Sequence, residues 1–276
     1  MTRMKRRVLP GLPLSLGYTL FYLSVLVVIP ILACFSKAGS LTAAQFKTAV
    51  WTERTRAAYA LTFGTSFAAA AVNLALGLLI AWVLVRYRFP GRRLMDALID
   101  LPLALPTAVG GLVYASLYVK KGWLGQYLVP LGIQAAYSRL AIVLVLVFIG
   151  LPFVVRTVQP VLEDLDAEVE EAAASLGATR WQSFRRVILP PLYPALLTGF
   201  ALAFARSLGE YGSVVFVSGN MPYKTEIAPV LIVARLEEYA YGEATAIAVV
   251  LLVISFAMLV VINALERWSR RSDAHV

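Results

Sequence analysis

The apolar positions of this chain fall in long runs rather than in the one-sided stripes of a soluble helix. A membrane-crossing helix needs ~20 predominantly apolar residues. Six segments supply them, at about 15–36, 58–85, 97–119, 140–158, 194–218 and 244–265. The pattern predicts an all-α membrane protein, a six-helix bundle formed as one transmembrane domain over residues 1–276. The second segment is long enough to cross with tilt or to extend past the bilayer. Pro102 and Pro106 interrupt the third. Such breaks persist where neighbouring helices or water satisfy the freed backbone groups, so this segment is expected inside the bundle.

The longest internal polar stretch is residues 159–193. Glu163, Asp164, Asp166, Glu168, Glu170 and Glu171 crowd its first half, and Arg180, Arg185 and Arg186 follow. Acidic residues suit a helix N-terminus through the macrodipole. Ala172, Ala173 and Ala174 are strong helix formers, and Gly177 is a natural stop. Trp181, Phe184 and Val187 then share one face of a second helix, which Pro190 and Pro191 are expected to end. The product is a helix, a bend and a second helix projecting from the bilayer.

Composition places the whole chain in a membrane. It is 60% hydrophobic and 15% charged, against roughly 25% charge in a soluble domain, and its mean hydropathy is +0.76. The net charge of +9 does not indicate nucleic acid, because the basic residues sit in short loops beside apolar runs with no aromatic interleaving. One cysteine, Cys34, excludes an internal disulfide framework and a Cys-based zinc site. His275, the only histidine, stands near the C-terminal end.

Loop charge predicts the orientation. Fifteen Lys and Arg residues fall in the set containing Arg3, Arg86, Arg180 and Arg267, and nine in the alternate set containing Lys47, Lys120 and Lys224. The positive-inside rule therefore puts both termini and the 159–193 loop in the cytoplasm. Arg3, Lys5, Arg6 and Arg7 before an apolar run resemble a signal peptide, and Ile31-Leu32-Ala33-Cys34 resembles a weak lipoprotein box. The run exceeds the 7–15 residues of a signal h-region, so an uncleaved first helix is expected. No nucleotide loop is readable: Lys224-Thr225 has Tyr223 where a P-loop needs its last glycine. Nothing resembles a hydrolase triad or a metal box.

Glu171-Ala172-Ala173, three residues, Gly177, nine residues and then Val187-Ile188-Leu189-Pro190 resemble the EAA loop of bacterial ABC importer permeases, with Val187 at that motif's isoleucine. The likeness extends through Arg86–Arg92, Asp96–Pro102, Ala104–Leu112, Pro152–Glu163, Gly177–Arg185 and Arg206–Gly212. Over these stretches the chain is similar to the T-type permease subunits of sulfate/thiosulfate ABC importers. Leu105-Pro106-Thr107-Ala108-Val109 favours that subunit over its paralogous W-type partner. Molybdate and tungstate permeases share the plan but usually differ in this third-segment motif.

The resemblance implies a non-catalytic subunit of the bacterial inner membrane, paired with a W-type permease, two ATPase subunits and a periplasmic sulfate/thiosulfate-binding protein. It carries no cofactor of its own, ATP-Mg being held by the ATPases. Glu171, Ala172, Ala173, Gly177 and Arg180 would then belong to the coupling element that docks on an ATPase. ATP-driven closure would move that element and open the path outward.

Arg206 and Glu210 stand four apart in the fifth segment, where each charge near mid-bilayer costs ~2.5–3.5 kcal/mol on insertion scales. They are expected either to meet the anion, with Glu210 fixing Arg206, or to form a structural pair. Asp100 is expected to snorkel or cap near the end of its segment. Residues 40–57, with Phe46, Val50 and Trp51 among charges, suggest an interfacial amphipathic helix. Residues 225–241 suggest either a partial re-entrant helix at an external gate, meeting the binding protein, or a surface helix. A stand-alone secondary transporter or channel is the alternative of another class. Such carriers often show an internal repeat, and none is evident here.

Overall fold

The structure is a computed structural model, and it describes residues 11–273. Arg3, Lys5, Arg6, Arg7 and His275 lie outside the described residues, as do the side chains of Arg267, Arg270 and Arg271. The described residues are helical with no strand. The principal helices are α1 (Leu14–Gly39), α2 (Ala43–Val50), α3 (Glu53–Arg86), α4 (Arg92–Ile99), α5 (Thr107–Tyr118), α6 (Arg139–Glu163), α7 (Ala167–Ser175), α8 (Arg180–Leu208), α9 (Ala228–Glu237) and α10 (Tyr241–Asp273).

Five of these (α1, α3, α6, α8 and the Tyr241–Leu265 part of α10) are long and apolar enough to cross a membrane. The segment expected at about 97–119 is present but divided into α4, a short turn at Leu101–Ala104, and α5. Pro106 has no N–H to continue a helix, and it pushes Leu105 into extended backbone at ψ 135°.

Two boundaries differ from expectation. Pro190 and Pro191 do not end the loop helix. α8 runs from Arg180 through a π turn at Phe184–Ile188 into the spanning part. The prolines fall at its junction with the following turns, where a proline's missing N–H costs least. The same helix stops at Leu208 rather than about 218, and residues 209–213 turn before a short helix at Val214–Val217.

The core is the three-helix packing of α3, α6 and α8. Val154, Val155 and Val158 of α6 are fully buried there beside Leu192, Ala203 and Phe204 of α8 and Ala70, Ala81 and Leu84 of α3. Lipid is as apolar as these side chains, so the packing relies on close approach rather than on expulsion of water. Glycines permit that approach: a Cβ on Gly77 would stand 2.6 Å from Val154 Cγ1, and one on Gly199 would stand 3.0 Å from Val154 Cα.

Polar groups tie the periphery to this trio. Tyr59 Oη donates to the Ile247 carbonyl of α10 at 3.1 Å. Thr62 Oγ1 accepts from the Ala228 N–H at 2.8 Å and so satisfies one orphan donor at the start of α9. α2 opens on a capping box between Thr42 and Gln45 and buries Ala49 and Val50 near Ala246. Trp51 remains exposed with the Arg56 guanidinium 5.8 Å from its ring centre. α1 packs on α10, and its apolar surface is otherwise open.

Candidate functional site

Two places gather the residues singled out in the sequence. The first is the arm formed by α7 and the start of α8. Glu171, Ala172 and Ala173 lie on α7, with Glu171 and Ala172 exposed and Ala173 partly covered. After Ser175 the chain turns in a double-bonded helix stop: the Ala178 N–H reaches the Ala173 carbonyl at 3.0 Å, and the Gly177 N–H reaches the Ala174 carbonyl at 2.9 Å. Gly177 has φ +84°, the left-handed region that disfavours a side chain, whereas a Cβ there would meet nothing within 4 Å. Its requirement within this chain is conformational, not one of crowding.

Thr179 restarts the helix with a capping box to Gln182, so Arg180 is the first residue of α8 and is exposed. The arm is joined to the bundle at two points. Arg86, at the end of α3, forms an ion pair with Glu170. Phe184 meets the Trp82 ring edge-on at 5.8 Å and stacks on Trp181 at 5.6 Å. Val169, Leu176 and Trp181 remain exposed. These apolar tips sit on a small helical projection.

The second place is the junction of the two broken segments. Arg206 Nη1 lies 2.6 Å from Glu210 Oε2, with the guanidinium one-third exposed (33%) and the carboxylate buried (2%). Glu210 lies beyond the end of α8, in the turn. Its other oxygen accepts from the Ser213 N–H at 2.8 Å and the Ser213 hydroxyl at 2.9 Å. The carboxylate therefore fixes the turn as well as the guanidinium.

That turn presses on the start of α5. A Cβ on Gly212 would stand 2.4 Å from Thr107 Oγ1, and one on Gly111 would stand 2.4 Å from the Ser213 carbonyl oxygen. Pro106 precedes the first helical residue and provides no side-chain cap. The first N–H groups of α5 thus face the same turn without an intrahelical acceptor. The turn that holds the Arg206–Glu210 pair thus also packs against the first turns of α5.

Three ion pairs were not readable beforehand, because each joins residues far apart in the chain. Arg156 of α6 holds Asp100 with both oxygens, at 2.9 and 2.7 Å. It also bonds Asp96 Oδ1 at 2.6 Å and the Asp96 carbonyl at 2.9 Å. Asp100 makes no cap hydrogen bond and does not stand free; it anchors α4 to α6. Arg54 grips buried Glu226 with two bonds, at 2.8 and 2.7 Å, across the opposite end of α3. Arg86–Glu170 is the third.

A family model described as the binding-protein-dependent transport system inner membrane component matches residues 73–272. The chain is 52% identical over 253 residues to the sulfate transport system permease protein CysT of Synechocystis sp., covering 92% of this chain and 88% of that one. It is 49% identical over 271 residues to the protein of the same name from Escherichia coli, covering 98% of each. Among solved structures it resembles a bacterial ABC transporter involved in the import of the acidic polysaccharide alginate, with TM-score 0.77 and 16% identity, covering 93% of this chain and 94% of that one. The same fold recurs in the alginate transporter complexed with its pentasaccharide-bound periplasmic protein, with TM-score 0.76 and 18% identity.

Proposed function

The chain belongs to the binding-protein-dependent transport-system inner membrane components, and from that membership we propose that it is a permease subunit of an ATP-driven importer for sulfate and thiosulfate. The observation that carries this reading is the near-full-length identity of 49–52% to sulfate transport permeases. The chain forms part of the path and catalyses no reaction itself. Its complex contains a paralogous W-type permease, two ATPase subunits that bind ATP-Mg, and a periplasmic anion-binding protein. Both termini and the α7 arm face the cytoplasm.

In this mechanism the arm carries the ATPase stroke. Glu171, Ala172, Ala173, Gly177 and Arg180 lie on its exposed side or at its bend and touch the ATPase. Arg86–Glu170 and the Trp82–Phe184 contact pass its movement to α3, and the unbroken α8 passes it directly into the bundle. At the far end of α8, movement reaches Arg206 and the turn against α5. Arg206 meets the dianion there as it passes, while buried Glu210 keeps the guanidinium in place and stops it from trapping the ion too tightly. The binding protein supplies most of the selectivity.

The test is labelled-sulfate uptake by a strain lacking this gene and complemented with it. Uptake is expected to return, to be competed by thiosulfate and to resist equimolar molybdate. Preferential loss to molybdate would assign the chain to the other oxyanion class.

A further inference from the structure

Asn73 is fully buried in the middle of α3, yet neither its amide nitrogen nor its carbonyl oxygen has a hydrogen-bond partner among the described residues. A primary amide offers two donors and an acceptor. In a bundle surrounded by lipid no water replaces a missing partner, so leaving the amide bare is costly. Ser66, seven residues earlier and on the same face, also buries a hydroxyl without a partner among the described residues. Buried polar groups are seldom left in this way, and each calls for a physical reason.

The neighbours of Asn73 suggest one. A Cβ on Gly150 of α6 would stand 2.4 Å from Asn73 Nδ2 and 3.4 Å from the Ala203 Cβ of α8. The amide is therefore pressed into the point where the three core helices meet. Gly150 faces Ala203, and Val154 faces Gly199, so α6 and α8 run antiparallel past this point. Ser207 continues the α8 row of Gly199 and Ala203 at intervals of four residues, on one face. It is buried, and its hydroxyl donates back to the Ala203 carbonyl of its own helix at 2.8 Å. That hydroxyl stands one turn, ~5–6 Å along the axis, beyond the level of Ala203. The small side chains at 199 and 203 put nothing bulky on this row to block movement along the axis.

We propose that Asn73 and Ser207 are the two halves of a hydrogen bond made only in the importer's other conformation, after α8 has moved toward its N-terminal end by up to one turn against α3 and α6. There the Ser207 hydroxyl donates to Asn73 Oδ1. The pairing rests on the reading of this chain as part of an ATP-driven transporter, in which the arm at the start of α8 is pulled by an ATPase. In the conformation described here the bare amide counts against the state; in the other the bond counts for it. Asn73 is thus a positioning residue. It touches neither anion nor nucleotide, and it sets the balance between the two conformations.

The test measures the melting temperature of the assembled importer twice, nucleotide-free and trapped with ATP and vanadate, and reads the gap between the two values. Asn73→Leu, Asn73→Ala and Ser207→Ala are each expected to change that gap by about 2 °C in the same direction, because each removes a bond made in one conformation alone. Combining Asn73→Ala with Ser207→Ala should change it no more than either substitution does singly. Crowding by leucine or a cavity left by alanine moves both melting temperatures together and leaves the gap as it was. A gap untouched by the Asn73 variants, changes of opposite direction at the two positions, or an additive change in the double variant overturns the pair. Failure of both Asn73 variants to assemble overturns it too, since the amide would then be needed where it bonds nothing. Sulfate uptake by the unsubstituted complex in vesicles separates the outcomes: uptake with an untouched gap removes this inference alone, and a shared gap change without uptake removes the sulfate reading alone.

Discussion

Arg206 and Glu210 meet at 2.6 Å across the end of α8, yet only the carboxylate is buried. The asymmetry gives the two residues different burdens. Glu210 is committed to Arg206 and to Ser213 at once, so it organises the turn. Arg206 keeps part of its guanidinium open and is the member to which the proposed path assigns the anion. Removing one partner of a buried pair leaves an uncompensated charge, often costing ~3–5 kcal/mol, although the half-open guanidinium reduces that figure here.

Glu210→Gln is therefore expected to lower the yield of assembled complex more than Arg206→Gln does. The double variant should regain assembly relative to Arg206→Gln, because no lone carboxylate remains buried, but should transport poorly. Complex yield and labelled-sulfate uptake, measured for both singles and the double, check this. Full uptake in the double variant would remove Arg206 from the path.

At Gly177 the constraint is φ +84° with open space around it. Gly177→Asn should keep most of the binding-protein-stimulated ATP hydrolysis, since asparagine tolerates the left-handed region. Gly177→Val should lose most of it, because a left-handed conformation costs ~1–2 kcal/mol even for an ordinary residue and β-branching adds to this. Equal stimulation in the two variants would contradict a coupling role that depends on this bend.

The Arg156 clamp makes a graded prediction. Asp100 provides two bonds and Asp96 one side-chain bond. Asp100→Asn should therefore loosen Arg92–Ile99 more than Asp96→Asn, each by about 1 kcal/mol or less because the carboxylates are substantially exposed. Hydrogen exchange of the α4 amides reads the difference. The reverse order would mean that the Asp96 contacts dominate.

Orientation is checked by thiol labelling in a Cys34→Ala background. An impermeant reagent applied to intact cells should label Lys120→Cys and spare Ser175→Cys, both at exposed positions. The opposite pattern would place α7 outside and separate it from any cytoplasmic ATPase.

Much of this architecture was readable because a bilayer demands long apolar runs, and five helices meet that demand without interruption. The break at Pro106 was readable from the missing N–H, and Gly177 from its place after an alanine-rich helix. Pro190 and Pro191 misled because proline ends a helix only when the preceding turn cannot adjust. Here a π turn at Phe184–Ile188 absorbs it. The stop at Leu208 carries no proline; it depends on Glu210 folding back onto Ser213, a contact that composition does not announce. Arg54–Glu226, Arg86–Glu170 and Arg156–Asp100 depend on the tertiary fold, which brings together loops that hydropathy places only on a side of the membrane. The anion was readable from resemblance, not from spacing.

The most direct test of the account is sulfate flux into vesicles containing this permease, the W-type permease and the ATPase. The account predicts accumulation that requires both internal ATP-Mg and the external binding protein, with no ATP hydrolysis by the purified chain alone. Sulfate accumulation by this chain alone, driven by an ion gradient and indifferent to ATP, would contradict it.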